Sequence, residues 1–486
     1  MSKKSSKKKV RLFSRIVCIL AFIVLCVFLF FIKRMGVLPN KYFLLIAGVL
    51  GFLEAIFALI VISKKMKKWI LILFSVFAIL FMIGEIYGSV KLYQTYKFLD
   101  EDMKTKETKD VYYVVVNSNS KYDSIESISG KFVYYFNDMD DFEKVNTMFH
   151  QKSDAILTEV ESYSDLTDDL LTNKDKIVLL SESSYDLLLE EENGETIENS
   201  LRKLDSFEVI REIEIEENDD DISKKPFIIY LSGIDTRSGK MPSRSLSDVN
   251  MTIVVNPQTR KILLINTPRD FYVQIHGTSG LKDKLTHAGM RGGVKLSMAT
   301  MQDLLGIKYD YYVRFYFNSV LRLVDAIGGV TIDSKDNFTY TLRHDRSCTI
   351  KPGKNSLNGS CAIAFARERY AYSSGDRHRG ENQQQLIQAI VNKLSSSKTL
   401  ISKYDKLLKA LDGSFETSLS TKNITSLVQF QINDMRGWNF ITSNLNGSGA
   451  MKETYSYPKR KLSVMIPNQK TIYKAKAKIK EIKEGN

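Results

Sequence analysis

The sequence predicts an α/β protein: a three-layer α/β/α domain with a central mixed sheet, preceded by a small α/β domain and three transmembrane helices. Three observations predict it. Apolar runs at roughly 16–32, 42–62 and 69–90 open the chain, each near the ~20 residues that a helix needs to cross a ~30 Å hydrocarbon core. Short β-branched and aromatic runs follow, separated by polar stretches of helical periodicity. From residue 226 onward, apolar strand-like runs alternate with helical ones, the pattern of a sheet covered by helices. At 486 residues the chain is too long for one core, and 8 prolines with 26 glycines exclude a collagenous or broadly disordered polypeptide. The boundaries fall at 1–95 for a basic arm and the spans, 96–225 for the small domain with its linker, and 226–486 for the larger domain.

The spans set the topology. Fourteen of the 69 Lys/Arg lie in the first 68 residues against Glu54 alone, clustered before the first run and at Lys64, Lys65, Lys67 and Lys68 between the second and third. The positive-inside rule then places the N-terminus in the cytoplasm. A cleaved signal peptide is excluded because further spans follow directly. An odd number of spans puts everything after about residue 91 outside the cell membrane, away from ATP and chromosomal DNA. Glu54 and Glu85 are intramembrane carboxylates; Glu85 is expected to reach the interface and Glu54 to pair within the bundle. Cys18 and Cys26 act as small apolar side chains in the first span, while Cys348 and Cys361 are external and either free or disulfide-bonded. No CxxC pair or Cys/His cluster suggests structural zinc.

In the small domain 111–116 (VYYVVV), 132–136 (FVYYF) and 177–180 (IVLL) are expected strands, and 144–161 is expected to be helical. The domain is acidic: residues 96–225 carry 34 Asp/Glu against 15 Lys/Arg. Its carboxylates are scattered along a solvated face and form no catalytic set. The like-charged run EIEIEENDDD at 212–221 resists packing and marks the boundary.

The larger domain reverses the sign, with 39 Lys/Arg against 20 Asp/Glu, which calls for an anionic partner. Its strands are expected at 226–233, 251–257 and 261–270, with helices at 294–305, 319–327, 359–366, 382–394 and 420–433, a last strand at 438–445 and a frayed Lys-rich tail after Ala475. Charge concentrates where strands should end: GIDTRSGKMPSRSLSDVNM (233–251), TPRD (267–270), ARERY (366–370) and GDRHRGENQQQ (375–385). Arginine suits phosphate oxygens because its planar fork of donors stays charged, and a nearby carboxylate can hold a hard cation that bridges to the same phosphates. The composition is that of a pyrophosphate site with a metal. No Walker loop, GxSxG elbow or HExxH motif points elsewhere, and His287 and His378 are expected to make ordinary hydrogen bonds.

In this order the segments resemble the LytR-CpsA-Psr family, and the three spans with an added outer domain resemble its capsule-locus CpsA-type members. The matching pieces are Gly233-Ile-Asp235-Thr-Arg237, Ser247-Asp248-Val-Asn-Met251, Pro268-Arg269-Asp270, DKLTHAGMRGG (283–293), Leu357-Asn-Gly359, Ala366-Arg367-Glu368-Arg369-Tyr370 and Asp376 through Arg379 to Asn382-Gln383-Gln384. The resemblance implies a Gram-positive, multi-pass membrane enzyme whose external domain takes a polyprenyl-pyrophosphate-linked capsular polysaccharide, its lipid tail in an apolar groove. That domain transfers the glycosyl phosphate to a peptidoglycan sugar hydroxyl. It further implies that Asp235 and Asp248 hold Mg²⁺, with Mn²⁺ as the alternative, that Arg269, Arg367, Arg369, Arg379 and Gln383 bind the pyrophosphate, and that Asp248, Arg269, Arg367 and Arg369 carry catalysis. Capsule-synthesis proteins are its expected further partners, and nucleic acid is not. The family's usual Arg-Ser-Asp is interrupted: Leu246 and Ser247 separate Arg244-Ser245 from Asp248, which puts Arg244's reach to the phosphates in doubt. A regulatory or sensory protein, or a chaperone of lipid-linked glycan, is the alternative reading.

Overall fold

A computed structural model describes residues 2–98, 105–136, 139, 141–189, 194–214, 220–235, 241–341, 347–369, 371, 375–395, 407, 410 and 415–485. The chain forms two compact units: Met1–Lys104 with Asn218–Ser223 and Ser420–Arg436, and Thr105–Glu217 with Lys224–Leu419 and Gly437–Asn486.

The first unit holds three helices long and apolar enough to cross a membrane, α1 (Ser2–Met35), α2 (Asn40–Ile62) and α3 (Lys68–Lys97). They meet through Val17, Ala21, Phe57, Val61, Leu71 and Ala78, while Leu44, Phe52, Leu59 and Phe81 stay exposed, as expected of helices whose solvent is lipid. Glu85 departs from expectation. Because α3 continues to Lys97, Glu85 lies mid-helix and is only 7% exposed, buried in the bundle instead of reaching an end. The expected helix at 420–433 belongs to this unit: α12 (Thr421–Asn433) starts with a reciprocal cap between Ser420 and Asn423, and its Gln429 amide donates to the Gly36 carbonyl in the α1–α2 turn.

The second unit contains two sheets. Strands β1 (Thr105–Asn117), β2 (Phe132–Phe136), β3 (Ile156–Val160), β4 (Ile177–Ser181) and β5 (Leu201–Glu214) form a mixed sheet in the order β3-β2-β4-β1-β5. Helices α4 (Phe142–His150), α5 (Tyr163–Thr172), α6 (Glu182–Leu189) and α7 (Gly194–Asn199) accompany it. Two expectations fail here. The stretch read as one helix from 144 to 161 ends at His150 and gives way to β3, an edge strand whose Ile156 is exposed and whose register is supplied by parallel pairing with β2. Residues 212–214 of the acidic run complete β5, an edge strand on which Glu212 stays exposed; residues 215–219 of that run lie outside the described residues.

The larger sheet comprises β6 (Phe227–Ile234), β7 (Val249–Asn256), β8 (Lys261–Thr267), β11 (Tyr311–Tyr316), β16 (Phe415–Thr417) and β17 (Asn439–Asn444), ordered β16-β11-β6-β7-β8-β17. Strands β6, β8, β11 and β17 run parallel to one another, with β7 and β16 antiparallel to them. The C-terminal ends of the four and the start of β7 therefore share one edge. One face, with Ile228, Tyr230, Val254 and Leu263, packs on α8 (Leu285–Leu305) and α13 (Gln469–Glu484). The opposite face meets α9 (Phe317–Ala326), α10 (Gly359–Arg367) and α11 (Asp376–Leu394). This is the three-layer α/β/α arrangement.

Short pairs of strands complete the unit: β9 (Tyr272–Gln274) with β10 (Lys282–Lys284), β12 (Val330–Ser334) with β15 (Gly353–Leu357), β13 (Phe338–Thr341) with β14 (Ser347–Ile350), and β18 (Gly447–Glu453) with β19 (Lys461–Pro467). Cys348 of β14 and Cys361 of α10 are joined by a disulfide. The tail after Ala475 is not frayed. Ile472, Ala475, Ile479 and Ile482 recur at helical spacing, bury one stripe of α13 in the core and leave its lysines on the opposite side.

Candidate active site

The shared strand edge receives charged side chains from separate stretches of chain. Asp235 follows β6, and Asp248 precedes β7 with its backbone N–H donating to the Gly233 carbonyl at 2.8 Å. Arg269 follows β8 in a turn closed by the bond from Phe271 N to Pro268 O at 3.2 Å, and its own carbonyl accepts from Thr286 N at 2.9 Å, where α8 begins. The Arg269 guanidinium donates to the Asp248 carboxylate at 2.5 Å, both side chains being under one-fifth exposed.

Arg367 closes α10. That helix is seated by Asn358, whose side chain accepts from Cys361 N, and by Gly359, whose N–H donates to Asp325 at 2.7 Å; a Cβ at Gly359 would lie 2.3 Å from the Leu321 carbonyl, so only glycine allows this approach to α9. At the far end Arg367 pairs with Asp235 and lies 5.0 Å over the Phe317 ring. The structure thus brings four of the expected residues together as two carboxylate–guanidinium pairs.

Arg369 is two residues beyond Arg367 and half-buried, and buried Glu368 between them accepts from Ala371 N at 2.9 Å. Arg379 and Gln383 lie one turn apart on α11, whose first turns approach the end of β8 so closely that a Cβ at Gly380 would meet Asn266 at 2.0 Å. Gln383 is buried and its amide reaches the Ala366 carbonyl at 3.4 Å. Tyr370 and Arg237, both in expected motifs, lie outside the described residues.

Behind the charges lies an apolar cavity of about 310 Å³ between the sheet and the α9–α11 layer. Leu231, Ile253, Phe315, Leu323 and Ile387 line it, together with Gln383, Ala366 and Phe317. Phe317 lies under Arg367, Ala366 precedes it and Gln383 bonds the Ala366 carbonyl, so the cavity and the charged edge form one continuous amphipathic site. Alternation along β6, β7 and β11 is what leaves these side chains on the cavity face while Tyr230, Val254 and Tyr312 fill the other core.

Neither histidine of the sequence motifs joins this site by a described contact. His287 is fully buried and its Nδ1 lies 2.6 Å from Asp283, whose other oxygen accepts from the backbone and hydroxyl of Ser456. Burial alone would raise the Asp283 pKa, yet His287, Ser456 and Arg291 together hold it below the ordinary carboxylate value. His378 meets Asp336 at 3.0 Å and Glu381 at 3.5 Å. Arg244 lines a small cleft with Asp110, Ser183 and Arg211 of the smaller domain.

Sequence reasoning missed Arg314. This arginine of β11 is 2% exposed and donates to the carbonyls of Pro242 and Ser243, the hydroxyl of Ser245 and the carboxylate of Glu416, so it holds the stretch leading to Asp248. Its signal was a lone charge inside the apolar run YYVRFYF.

Arg269 and Arg367 present their guanidinium forks at this edge, a donor geometry that suits a multiply charged oxyanion. Asp235 and Asp248 offer hard oxygen donors, but among the described residues no group of three or more His, Cys, Asp or Glu converges as a metal site. A cation here would draw its other ligands from phosphate and water, as Mg²⁺ commonly does.

The sequence profile of the LytR_cpsA_psr family matches residues 190–471. Biofilm regulatory protein A of Streptococcus mutans is 30% identical over 271 residues, which is 53% of this chain and 64% of that protein's own length. The polyisoprenyl-teichoic acid–peptidoglycan teichoic acid transferase TagU of Enterococcus faecalis is 32% identical over 242 residues, 48% of this chain and 75% of that one. The crystal structure of TagV from B. subtilis is 26% identical, covers 54% of this chain and 98% of its own, and superimposes with a TM-score of 0.45. With the profile matched over more than half its length, across the whole set of strand-end arginines and carboxylates, the chain belongs to the LytR_cpsA_psr family.

Proposed function

We propose that this protein is a membrane-anchored phosphotransferase that moves capsular polysaccharide, as a glycosyl phosphate, from a polyprenyl-pyrophosphate carrier to a sugar hydroxyl of peptidoglycan. The observation that carries this reading is the junction of an apolar cavity with the Asp235–Arg367 and Asp248–Arg269 pairs. A polyprenyl pyrophosphate has the same two-part chemistry, a hydrocarbon tail ending in a dense double phosphate. Relatives named as teichoic acid–peptidoglycan transferases support the reaction class.

The acceptor oxygen attacks the phosphorus attached to the glycan, and the bond from that phosphorus to the bridging oxygen breaks. Polyprenyl phosphate leaves, and a phosphodiester joins glycan to peptidoglycan. The hydroxyl proton passes to a carboxylate of the site, Asp235 or Asp248. Arg269, Arg367, Arg369 and Arg379 offset charge that builds on the transferred phosphoryl and the leaving phosphate, with Gln383 as a neutral donor. Asp235 and Asp248 would hold Mg²⁺ or Mn²⁺, which supplies Lewis-acid neutralisation of the pyrophosphate. With their carboxylates so engaged, Arg367 and Arg269 would be free to turn to phosphate.

The test uses full-length protein in lipid nanodiscs with a synthetic polyprenyl-pyrophosphoryl oligosaccharide, Mg²⁺ and a peptidoglycan acceptor. Wild type should release polyprenyl phosphate and label the acceptor, while Arg269→Ala should lose about 10²- to 10³-fold in kcat with its melting behaviour preserved. Unchanged transfer in that variant sinks the assignment. The name of the Streptococcus mutans relative favours a regulatory second reading, and tight lipid binding without release would move the conclusion there.

A further inference from the structure

Residues 241–248 form neither helix nor strand, yet they are gripped from three directions. From the sheet, Arg314 bonds Pro242 O at 2.6 Å and Ser245 Oγ at 2.6 Å. From α8, the Gly289 and Thr286 carbonyls accept from Ser245 N and Ser247 N, both at 3.2 Å, and a Cβ at Gly289 would lie 2.4 Å from the Ser245 carbonyl. The third grip comes from the smaller domain. Lys109 N of β1 donates to Met241 O at 2.9 Å, and the Asp110 carboxylate accepts from Ser243 N at 2.7 Å and from the Ser243 hydroxyl at 3.0 Å. Arg211 of β5 donates to Asp110 at 2.7 Å.

Adhesion between the two domains does not require this carboxylate. Leu246, Met290 and Tyr457 of the larger domain already share one apolar cluster with Tyr163, Leu180 and Tyr185 of the smaller, and Lys459 pairs with Asp165 at 2.8 Å. Asp110 is only 6% exposed, and a buried carboxylate is unfavourable unless its bonds repay the lost hydration. What its bonds secure is position: Ser243 lies five residues before Asp248, on the stretch that delivers Asp248 to Arg269.

We propose that the smaller domain is a positioning element for the reaction, with Asp110, seated by Arg211, fixing residues 241–248 so that Asp248 is held at the active edge. This rests on the transferase reading and adds a role for the acidic domain. Asp110 is a positioning residue and touches no reactant.

The test combines hydrogen exchange and kinetics on full-length protein in nanodiscs. Asp110→Ala should speed amide exchange in 241–248 about tenfold while β6–β8 stay protected, and should lower kcat about tenfold with KM for the lipid-linked donor within about twofold. Asp110→Asn keeps an acceptor for Ser243 N and should recover about half of both losses. Lys459→Ala removes an exposed ion pair from the same interface and should change neither. Unchanged exchange in Asp110→Ala overturns the proposal. So does loosened exchange with wild-type kcat, or a loss that Lys459→Ala reproduces equally. A wild type that transfers nothing condemns the transferase reading instead, and the exchange arm alone then decides whether Asp110 holds the stretch.

Discussion

Asp283 shows how a single buried charge shapes the protein around the site. It is wholly buried between His287 and Ser456, at the entry to the helix whose first turn also fixes Arg269. Because its folded pKa lies below the ordinary value of about 4, the stability it contributes is fully present above that value and disappears as pH falls through the folded pKa. Asp283→Asn should therefore melt lower than wild type above about pH 5, by the equivalent of about 2 kcal/mol for charge-assisted bonds, and the gap should narrow below pH 4. Melting scans of both proteins from pH 3 to pH 6 check this, and a constant gap would assign the loss to packing. Residues of this kind are only partly legible in sequence. The arginines and aspartates at strand ends announce themselves as charges bordering apolar runs, whereas Arg314 depends on Glu416, 102 residues away, for its meaning.

At the scale of elements, the parts that were legible are those whose apolar residues follow one period without interruption. Buried strands β6, β7 and β8 and the amphipathic α9, α10 and α12 read directly. Edge strands β3 and β5 did not, because β3 is only five residues long and β5 is rich in charge, so the pairing of each is supplied by its neighbour. The C-terminal helix was obscured by its six lysines, which outnumber its four buried apolar positions but occupy its outer faces. That difference between faces can be measured. Ile479→Ala, a truncation in the core shared by α13, β7 and β8, should cost about 3 kcal/mol, whereas Lys480→Ala on the exposed face should stay within about 0.5 kcal/mol. Chemical denaturation of the two variants separates them; equal small effects would mean that the tail frays after all.

On the scale of the whole molecule, the charge distribution and the proposed reaction make one joint demand. In the proposed reaction the carrier's pyrophosphate and the peptidoglycan acceptor would meet outside the membrane, which requires the two domains after α3 to lie there and the Lys64, Lys65, Lys67 and Lys68 turn to lie inside. The Cys348–Cys361 disulfide agrees with that side, since such bonds persist where no thiol pool reduces them. Cys18 and Cys26 are the free thiols among the described residues, and both sit within α1. Protease added to intact wall-stripped cells should therefore digest the two outer domains while sparing a tag placed before Ser2, and unreduced, denatured protein should titrate two thiols. Exchanging the four lysines of the α2–α3 turn for glutamine should raise the fraction of misoriented chains, read as protease-resistant outer domain. Protection of the outer domains in the wild type would place the arginine-rich edge in the cytoplasm. It would then face soluble phosphates and nucleic acid instead of a carrier in the outer leaflet, and the same two Arg–Asp pairs would need a different ligand.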